Sequence, residues 1–254
     1  PVEYGGLDLD WLTLGLVTEQ LAYFDFSLGM GSCSRTSLGI LPLLNGSEEQ
    51  KKKYLPGQIQ GKLTHCFATV EPDAGSDATS IRTTAVLDGD EWVINGQKVW
   101  TSGAHFSDYG ILLTRSDWDK PKQEGLTMFI VDMKAPGVEV RPIHQMSGES
   151  EFNEVFFTDV RIPDRYRLGP ECGGWKVMLS MLMQERMSVG GNLPTDLHEH
   201  LIALARQCDW DDRLAIDDAR VRARIAVLLQ VGVGDAGGLT ALSKGKTPGP
   251  EMSI

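Results

Sequence analysis

The chain has 254 residues, 41% hydrophobic and 23% charged, enough apolar material for one large domain or two smaller ones. Its net charge of −11 repels a phosphate backbone and argues against nucleic-acid binding, since the densest basic run, Lys51 to Lys53, sits behind Glu48 and Glu49 on one short helix. No apolar run approaches the roughly 18 residues of a membrane-spanning helix, and the opening PVEYGGLDLD lacks the basic and apolar blocks of a secretory leader. Cys33, Cys66, Cys172 and Cys208 are widely spaced with no Cys-x-x-Cys pair, so they read as reduced thiols of a cytoplasmic protein and not as a disulfide frame or zinc site. The first residue is Pro1, and the expectation is that the native start lies earlier.

Residues 1–64 read as helical. Leu9 to Tyr23 carries apolar residues at helical spacing, and Ser47-Glu48-Glu49-Gln50 is a capping box with Ser47 as N-cap and Gln50 folding back. Pro56-Gly57 is expected to stop that helix. From 65 to 162 the pattern changes to strands. Glu91–Ile94 and Gln97–Thr101 flank Asn95-Gly96, a pair that predicts a tight hairpin because both of its residues tolerate positive φ. Leu126–Asp132, Val138–Ile143 and Val155–Val160 follow, punctuated by Asp88-Gly89 and Pro136-Gly137. Short strands with frequent turns and no intervening helices predict an antiparallel sheet or barrel. From Gly174 helical patterning returns at Trp175–Val189, Leu197–Arg206 and Ala219–Gln230.

Several motifs can be weighed on context. Gly232-Val233-Gly234-Asp235-Ala236-Gly237 matches the dinucleotide fingerprint in form, but a helical pattern precedes it where a strand is required, and too little chain follows to complete a βαβ unit. His198 and His200 stand two apart, on different faces of a helix, and cannot share a metal. The stretch Phe67-Ala68-Thr69-Val70-Glu71-Pro72-Asp73-Ala74-Gly75-Ser76-Asp77 is a loop whose small residues let a ligand approach the backbone; it serves equally as a plain connection from helices to sheet. Lys98-Val99-Trp100-Thr101-Ser102-Gly103-Ala104 ends a strand with a large aromatic and two hydroxyls, which fits a ligand platform or simple sheet packing.

Together those two stretches resemble the flavin-contacting segments of the acyl-CoA dehydrogenase family. Glu3 to Leu7, Gly46 to Pro56, Gly125 to Asp132 and Glu154 to Phe157 resemble the same family in the same order, and Gly245 to Ile254 does so again. The resemblance implies an α+β fold: an N-terminal helical segment (1–64), a central antiparallel β-barrel domain (65–162) and the start of a C-terminal helical bundle (163–254), with both ends of the chain cut. It also implies non-covalent FAD, an acyl-CoA substrate oxidised to a trans-2-enoyl-CoA, electrons passed to electron-transfer flavoprotein, and an oligomer.

By position, the resemblance implies that Phe67, Thr69 and Val70 line the isoalloxazine ring, largely through backbone groups. Trp100 stacks near the flavin, Thr101 and Ser102 follow it in the same segment with Ser102 close to N5, and Ser76 contacts acyl-CoA. The family usually has a hydroxyl residue where Val70 stands, so a side-chain hydrogen bond is lost while the backbone N–H remains. Many members supply the base from a late segment that this chain does not contain, whereas the isovaleryl and long-chain branch places a glutamate immediately before an arginine. The latter implies Glu185 as the base and Arg186 as the residue holding the CoA moiety; both origins of the base stay open. At 100° per residue Glu185 shares a face with Met178, Met181, Leu182 and Val189; a carboxylate there would be desolvated and more basic, although a helix-surface glutamate without chemistry fits the same spacing. After Gly191 the chain departs from the family: Ala205-Arg206-Gln207-Cys208-Asp209-Trp210-Asp211-Asp212 stands where members usually carry Arg-x-x-Phe-Gly. That departure resembles a divergent bacterial branch whose subunits pair with a different partner. A non-catalytic partner subunit and an oxidase or monooxygenase on the same fold are therefore the competing readings.

Overall fold

The computed structural model describes residues 1–189 and 197–227, with only the backbone described for 184–189 and 197–198. The Gly232–Gly237 and Gly245–Ile254 tracts, the end of the 219–230 helix and the His198 side chain lie outside the described residues. The chain divides into two compact units, one of Pro1–Gly6 with Arg35–Leu182, the other of Leu7–Ser34 with the residues from Met183 onward.

In the first unit, the short α3 (Leu41–Leu44) leads into α4 (Glu48–Ile59). α4 starts at the predicted capping box, with the Ser47 side chain accepting from Gln50 N and Gln50 Oε1 accepting from Ser47 N at 2.8 Å. Gln50 also donates to the carbonyls of Arg165 and Arg167, so the cap ties the helix to the end of the sheet. Pro56 does not stop the helix, contrary to expectation: α4 runs through it to Ile59 and ends where Gly61 takes φ +71. The proline removes one N–H, whose former acceptor would be the carbonyl of Lys52, a residue exposed to water. The Gly57 carbonyl is held instead by Lys62 and Leu63.

The eight strands are β1 (His65–Ala68), β2 (Thr84–Asp88), β3 (Glu91–Lys98), β4 (Tyr109–Arg115), β5 (Leu126–Asp132), β6 (Val138–Pro142), β7 (Asn153–Pro163) and β8 (Arg167–Leu168). They form one sheet ordered β6-β7-β3-β2-β4-β5-β8, with β1 beside β4. The sheet is not the closed antiparallel barrel expected. Among the described residues β6 and β8 each pair on one side only, and β1 and β2 both run parallel to β4. It nevertheless folds over on itself: Trp92 of β3 meets Phe129 of β5 at 5.4 Å between ring centroids, although two strands separate them in the sheet order. Alternate residues of β4 and β5 therefore feed two cores. Leu112, Phe129 and Val131 face Trp92, Ile94, Val155 and Phe157 inside the fold. Ile111, Leu113, Met128 and Ile130 face Tyr54 and Leu55 of α4 and Val177, Met178 and Met181 of α5 (Gly174–Val189).

The expected Asn95-Gly96 hairpin is also corrected. β3 continues through that pair, and the register against β7 shifts between Ile94 and Gly96, which makes it a bulge. Asn95 Nδ2 donates to Asp159 Oδ1 and Asp159 N donates to Asn95 Oδ1, so the asparagine bonds across the sheet. Gly96 is required because a Cβ there would stand 2.6 Å from Thr83 Cα. The true hairpin turn is Gly89-Asp90 between β2 and β3, with Gly89 at φ +69.

In the second unit, α1 (Trp11–Phe24) realises the predicted first helix and is capped by Asp10, whose side chain accepts from Thr13 N. α2 (Phe26–Ser34), α6 (Leu197–Ala205) and a helix over 219–227 belong to the same unit. Between the last two lies a ribbon that the residue pattern did not announce, β9 (Asp209–Trp210) with β10 (Arg213–Leu214). Its two turn residues, Asp211 and Asp212, both take positive φ, the conformation of a two-residue hairpin loop. Ala205, Ala215 and Ile225 form the small core beneath it.

The bulge gives a direct stability test. Gly96→Ala should cost about 2–3 kcal/mol through contact with the Thr83 backbone, whereas Gly89→Ala, in open space, should cost about 1 kcal/mol. Urea denaturation of the two variants measures the difference.

Candidate cofactor site

β1 lies parallel to β4, with Ala68 opposite Leu112, and the chain then leaves the sheet at Thr69. The Val99 N–H donates to Val70 O at 2.9 Å, which brings the first of the two stretches singled out in the sequence against the second. Glu71 N donates to Ala74 O and Ala74 N to Glu71 O, so Pro72-Asp73 forms a tight two-residue turn. With those carbonyls and amides engaged, the Val70 N–H meets no acceptor among the described residues.

Beneath this loop sits the least expected feature. Lys98 is wholly buried, and its Nζ donates to Glu71 Oε1 at 2.7 Å and to Thr69 O at 3.2 Å. Glu71 also accepts from Arg82 N at 2.6 Å and Thr83 N at 2.9 Å. Burial pushes the Lys98 ammonium down to about 8, against the pull of Glu71. Burial raises the Glu71 carboxyl, but the Lys98 charge and the donated hydrogen bonds outweigh it and hold the group below the usual carboxylate range. Neither residue was singled out in the sequence, yet each quoted stretch contains one of them. Opposite charges in two otherwise apolar, small-residue segments were the available signal.

Past Lys98 the backbone bends at Trp100, which takes φ +59 and leaves 56% of its surface exposed. Its indole meets Phe152 edge-on at 6.0 Å. Pairing resumes at once: Thr101 N donates to Asn153 O, and Asn153 N and Nδ2 both donate to Thr101 O. Ser102 is exposed, and its hydroxyl has no partner among the described residues. Thr101 differs from its neighbours. It is fully buried, and its hydroxyl, like Asn153 Oδ1, has no partner among the described residues. Of the sequence-predicted cofactor residues, the structure joins Val70 to the segment of Trp100 and Ser102 in one strip through the Val99–Val70 bond, packs Phe67 against the helix-side core, buries Thr69 and turns the Thr101 side chain inward. Ser76 is exposed further along the same loop, next to Asp77, whose carboxylate is held by Thr79, Ser80 and Lys122. Glu185 and Arg186 lie on α5, and their side chains are outside the described residues.

At the start of β1, His65 Nδ1 lies 2.8 Å from Gln58 Nε2, and Gln58 Oε1 accepts from Tyr109 OH at 3.2 Å. Burial, reinforced by Arg35, pushes the imidazole down to about 4, so it is neutral at physiological pH. Among the described residues no cluster of histidine, cysteine or carboxylates could hold a metal. No described helix is long and apolar enough to cross a membrane.

An exposed indole face, an unengaged amide and an unengaged hydroxyl on one strip suit a flat heteroaromatic ring with acceptors along its edge, as a flavin has. Comparison with known proteins gives the class its family. Residues 66–160 match the profile of the acyl-CoA dehydrogenase middle domain, and residues 1–62 match that of the N-terminal domain. The chain is 37% identical over 215 residues to the acyl-CoA dehydrogenase FadE34 of Mycobacterium tuberculosis, covering 84% of this chain and 30% of that protein. It is 37% identical over 228 residues to IpdE1 of the same organism, covering 89% of this chain and 58% of the relative. Among solved structures, the steroid ACAD Tcur3481-Tcur3483 superposes with a TM-score of 0.78 at 31% identity, covering 99% of this chain and 65% of that one. The chain belongs to the acyl-CoA dehydrogenase family, flavoprotein oxidoreductases that bind FAD, and it spans only part of the length of these relatives.

Glu71→Gln should destabilise the chain by about 3–5 kcal/mol, because it strands a buried ammonium. Lys98→Met in the Glu71→Gln background should recover part of that loss, as a double-mutant cycle in urea would show. A pH series supplies the sign. His65 and Glu71 both hold depressed folded values, so the unfolded state takes up their protons first as pH falls. Stability should therefore decline from about pH 6.5 downward, and His65→Gln should remove the upper part of that decline.

Proposed function

We propose that this protein catalyses FAD-dependent α,β-dehydrogenation of an acyl-CoA thioester to a trans-2-enoyl-CoA. The observation that carries the reading is the strip joined by the Val99–Val70 hydrogen bond, with Trp100 and Ser102 exposed beside an unengaged Val70 N–H. When bound, FAD supplies the hydride acceptor. Phe67, Thr69 and Val70 line the flavin ring, Trp100 covers one face, and the Ser102 hydroxyl donates to its edge. The layout of 1–64, 65–162 and 163–254 follows the three-part organisation that the family resemblance implies.

Glu185 takes the α proton. Helical periodicity sets position 185 four residues after Met181, which is fully buried, and three after the half-buried Leu182. A carboxylate kept from water among apolar side chains is more basic, as removal of a proton from carbon requires. Ser76 and Arg186 hold the acyl-CoA, and electron-transfer flavoprotein, in an oligomeric assembly, reoxidises the loaded enzyme.

A second reading concerns the substrate. The 31% likeness to Tcur3481-Tcur3483, a steroid ACAD, favours a thioester with a bulky polycyclic acyl group over a straight chain. The β9–β10 ribbon, standing where members usually carry Arg-x-x-Phe-Gly, favours a paired partner subunit over four equal sites.

Anaerobic mixing with a panel of acyl-CoA and steroid-CoA thioesters, followed by flavin bleaching near 450 nm, tests both readings; the wavelength is about that of ordinary flavin absorption, where the cofactor itself reports. Bleaching by any thioester supports the reaction, and the best substrate chooses between the readings. Glu185→Gln should slow bleaching by about 10²–10⁴-fold while leaving thioester binding intact; an unchanged rate would remove Glu185 from the mechanism.

A further inference from the structure

Lys98 serves the fold as a buried cation, but its position relative to Val70 suggests more. The carbonyl of Thr69 and the N–H of Val70 belong to one peptide group. Lys98 Nζ sits 3.2 Å from that carbonyl oxygen, inside the protein, where charge acts strongly on neighbouring dipoles. The Glu71 carboxylate is 2.7 Å from the same ammonium and also accepts the N–H groups of Arg82 and Thr83, so its negative charge is shared among three donors. The far end of the polarised peptide is the Val70 N–H, which meets no acceptor among the described residues and lies on the same strip as Trp100 and Ser102.

We infer that Lys98 is a positioning residue for redox chemistry: its ammonium polarises the Thr69–Val70 peptide, making the Val70 N–H a stronger donor to the edge of the bound flavin. This inference rests on the flavin reading above. It assigns a function to a residue that never touches the ring. A cation on the carbonyl strengthens the amide donor through the conjugated peptide, and a stronger donor favours the electron-rich reduced ring over the oxidised one. Val70 has no hydroxyl with which to make a side-chain bond, so the polarised amide does that work alone. Two charged groups bear on the arrangement: Glu71 faces Lys98 directly, and Arg115 of β4 acts on Glu71.

The experiment measures the two-electron potential of bound FAD, together with FAD affinity, in the wild-type chain, Lys98→Met and Lys98→Arg. Lys98→Met should weaken binding of reduced relative to oxidised flavin by about tenfold, equivalent to a fall of about 30 mV, and Lys98→Arg, which keeps the cation, should restore most of it. The unmodified chain gives an independent measurement should Lys98→Met fail to fold. Because Lys98 loses its proton near pH 8, the potential should fall by a further tenfold, about 30 mV in all, over about one pH unit above that value. A purely structural Lys98 would change flavin occupancy without this break. Full flavin occupancy in Lys98→Met with an unmoved potential overturns the inference, as does the absence of a break in the wild type. A colourless wild-type chain overturns the flavin reading itself and this inference with it.

Discussion

The Glu71–Lys98 ion pair is the interaction on which the candidate site depends. Burying an ammonium costs several kcal/mol unless a partner and further hydrogen bonds compensate, and here both are supplied by the segment being organised. Lys98 is the last residue of β3, while Thr69 and Glu71 belong to the exit from β1. The pair therefore fastens a loop to a strand that is not its neighbour in the sheet. Glu71 reaches on to the backbone of Arg82 and Thr83, where the chain re-enters the sheet at β2. One carboxylate thus fixes both ends of the excursion from 69 to 83, and the exposed residues between them inherit a defined path.

That excursion can exist because the sheet is folded over without being closed. Trp92 packing on Phe129 brings β3 across to β5, and the exit of β1 meets the end of β3 through the Val99–Val70 and Lys98–Thr69 bonds. A fully closed barrel would satisfy the backbone groups of every strand with other strands. Here the chain beyond β1 keeps a donor unspent at Val70, next to an aromatic ring. The open architecture and the cofactor strip are two aspects of one packing solution.

Much of the fold was legible because its signals are local. The capping box at Ser47, the apolar strand run Leu126–Asp132 and the helical spacing of Leu9–Tyr23 each report on a few neighbouring residues, and each is realised. The failures came where tertiary contact decides. Asn95-Gly96 has the composition of a hairpin, but Asp159 and Thr83, distant in sequence, make it a bulge. Pro56 breaks helices in general, yet α4 tolerates it because the last turn is held by Gln60, Lys62 and Leu63. Asp211-Asp212 forms a hairpin turn without glycine, relying on the tolerance of aspartate for positive φ. The candidate site was legible only in part. Family resemblance pointed to Phe67, Val70, Trp100 and Ser102, but nothing in their spacing announced that Thr101 turns inward or that Lys98 is buried.

Trp100 shows how the strip holds a conformation the chain would otherwise avoid. A bulky residue at φ +59 costs on the order of 1–3 kcal/mol, because its Cβ crowds the adjacent carbonyl. The residue before it is pinned by Val99 N–H to Val70 O, and the one after it by reciprocal bonds between Thr101 and Asn153, with the Asn153 amide adding a third. Relaxing Trp100 to negative φ would break those bonds on one side or the other, leaving buried groups such as the Thr101 carbonyl without a donor. The strain is thereby outweighed locally, and its consequence is that the indole faces outward, where alternation continued from the inward-facing Lys98 would not have placed it. A single off-pattern dihedral, fixed from both sides, converts a core aromatic into a surface platform, and that conversion separates this strand end from an ordinary one.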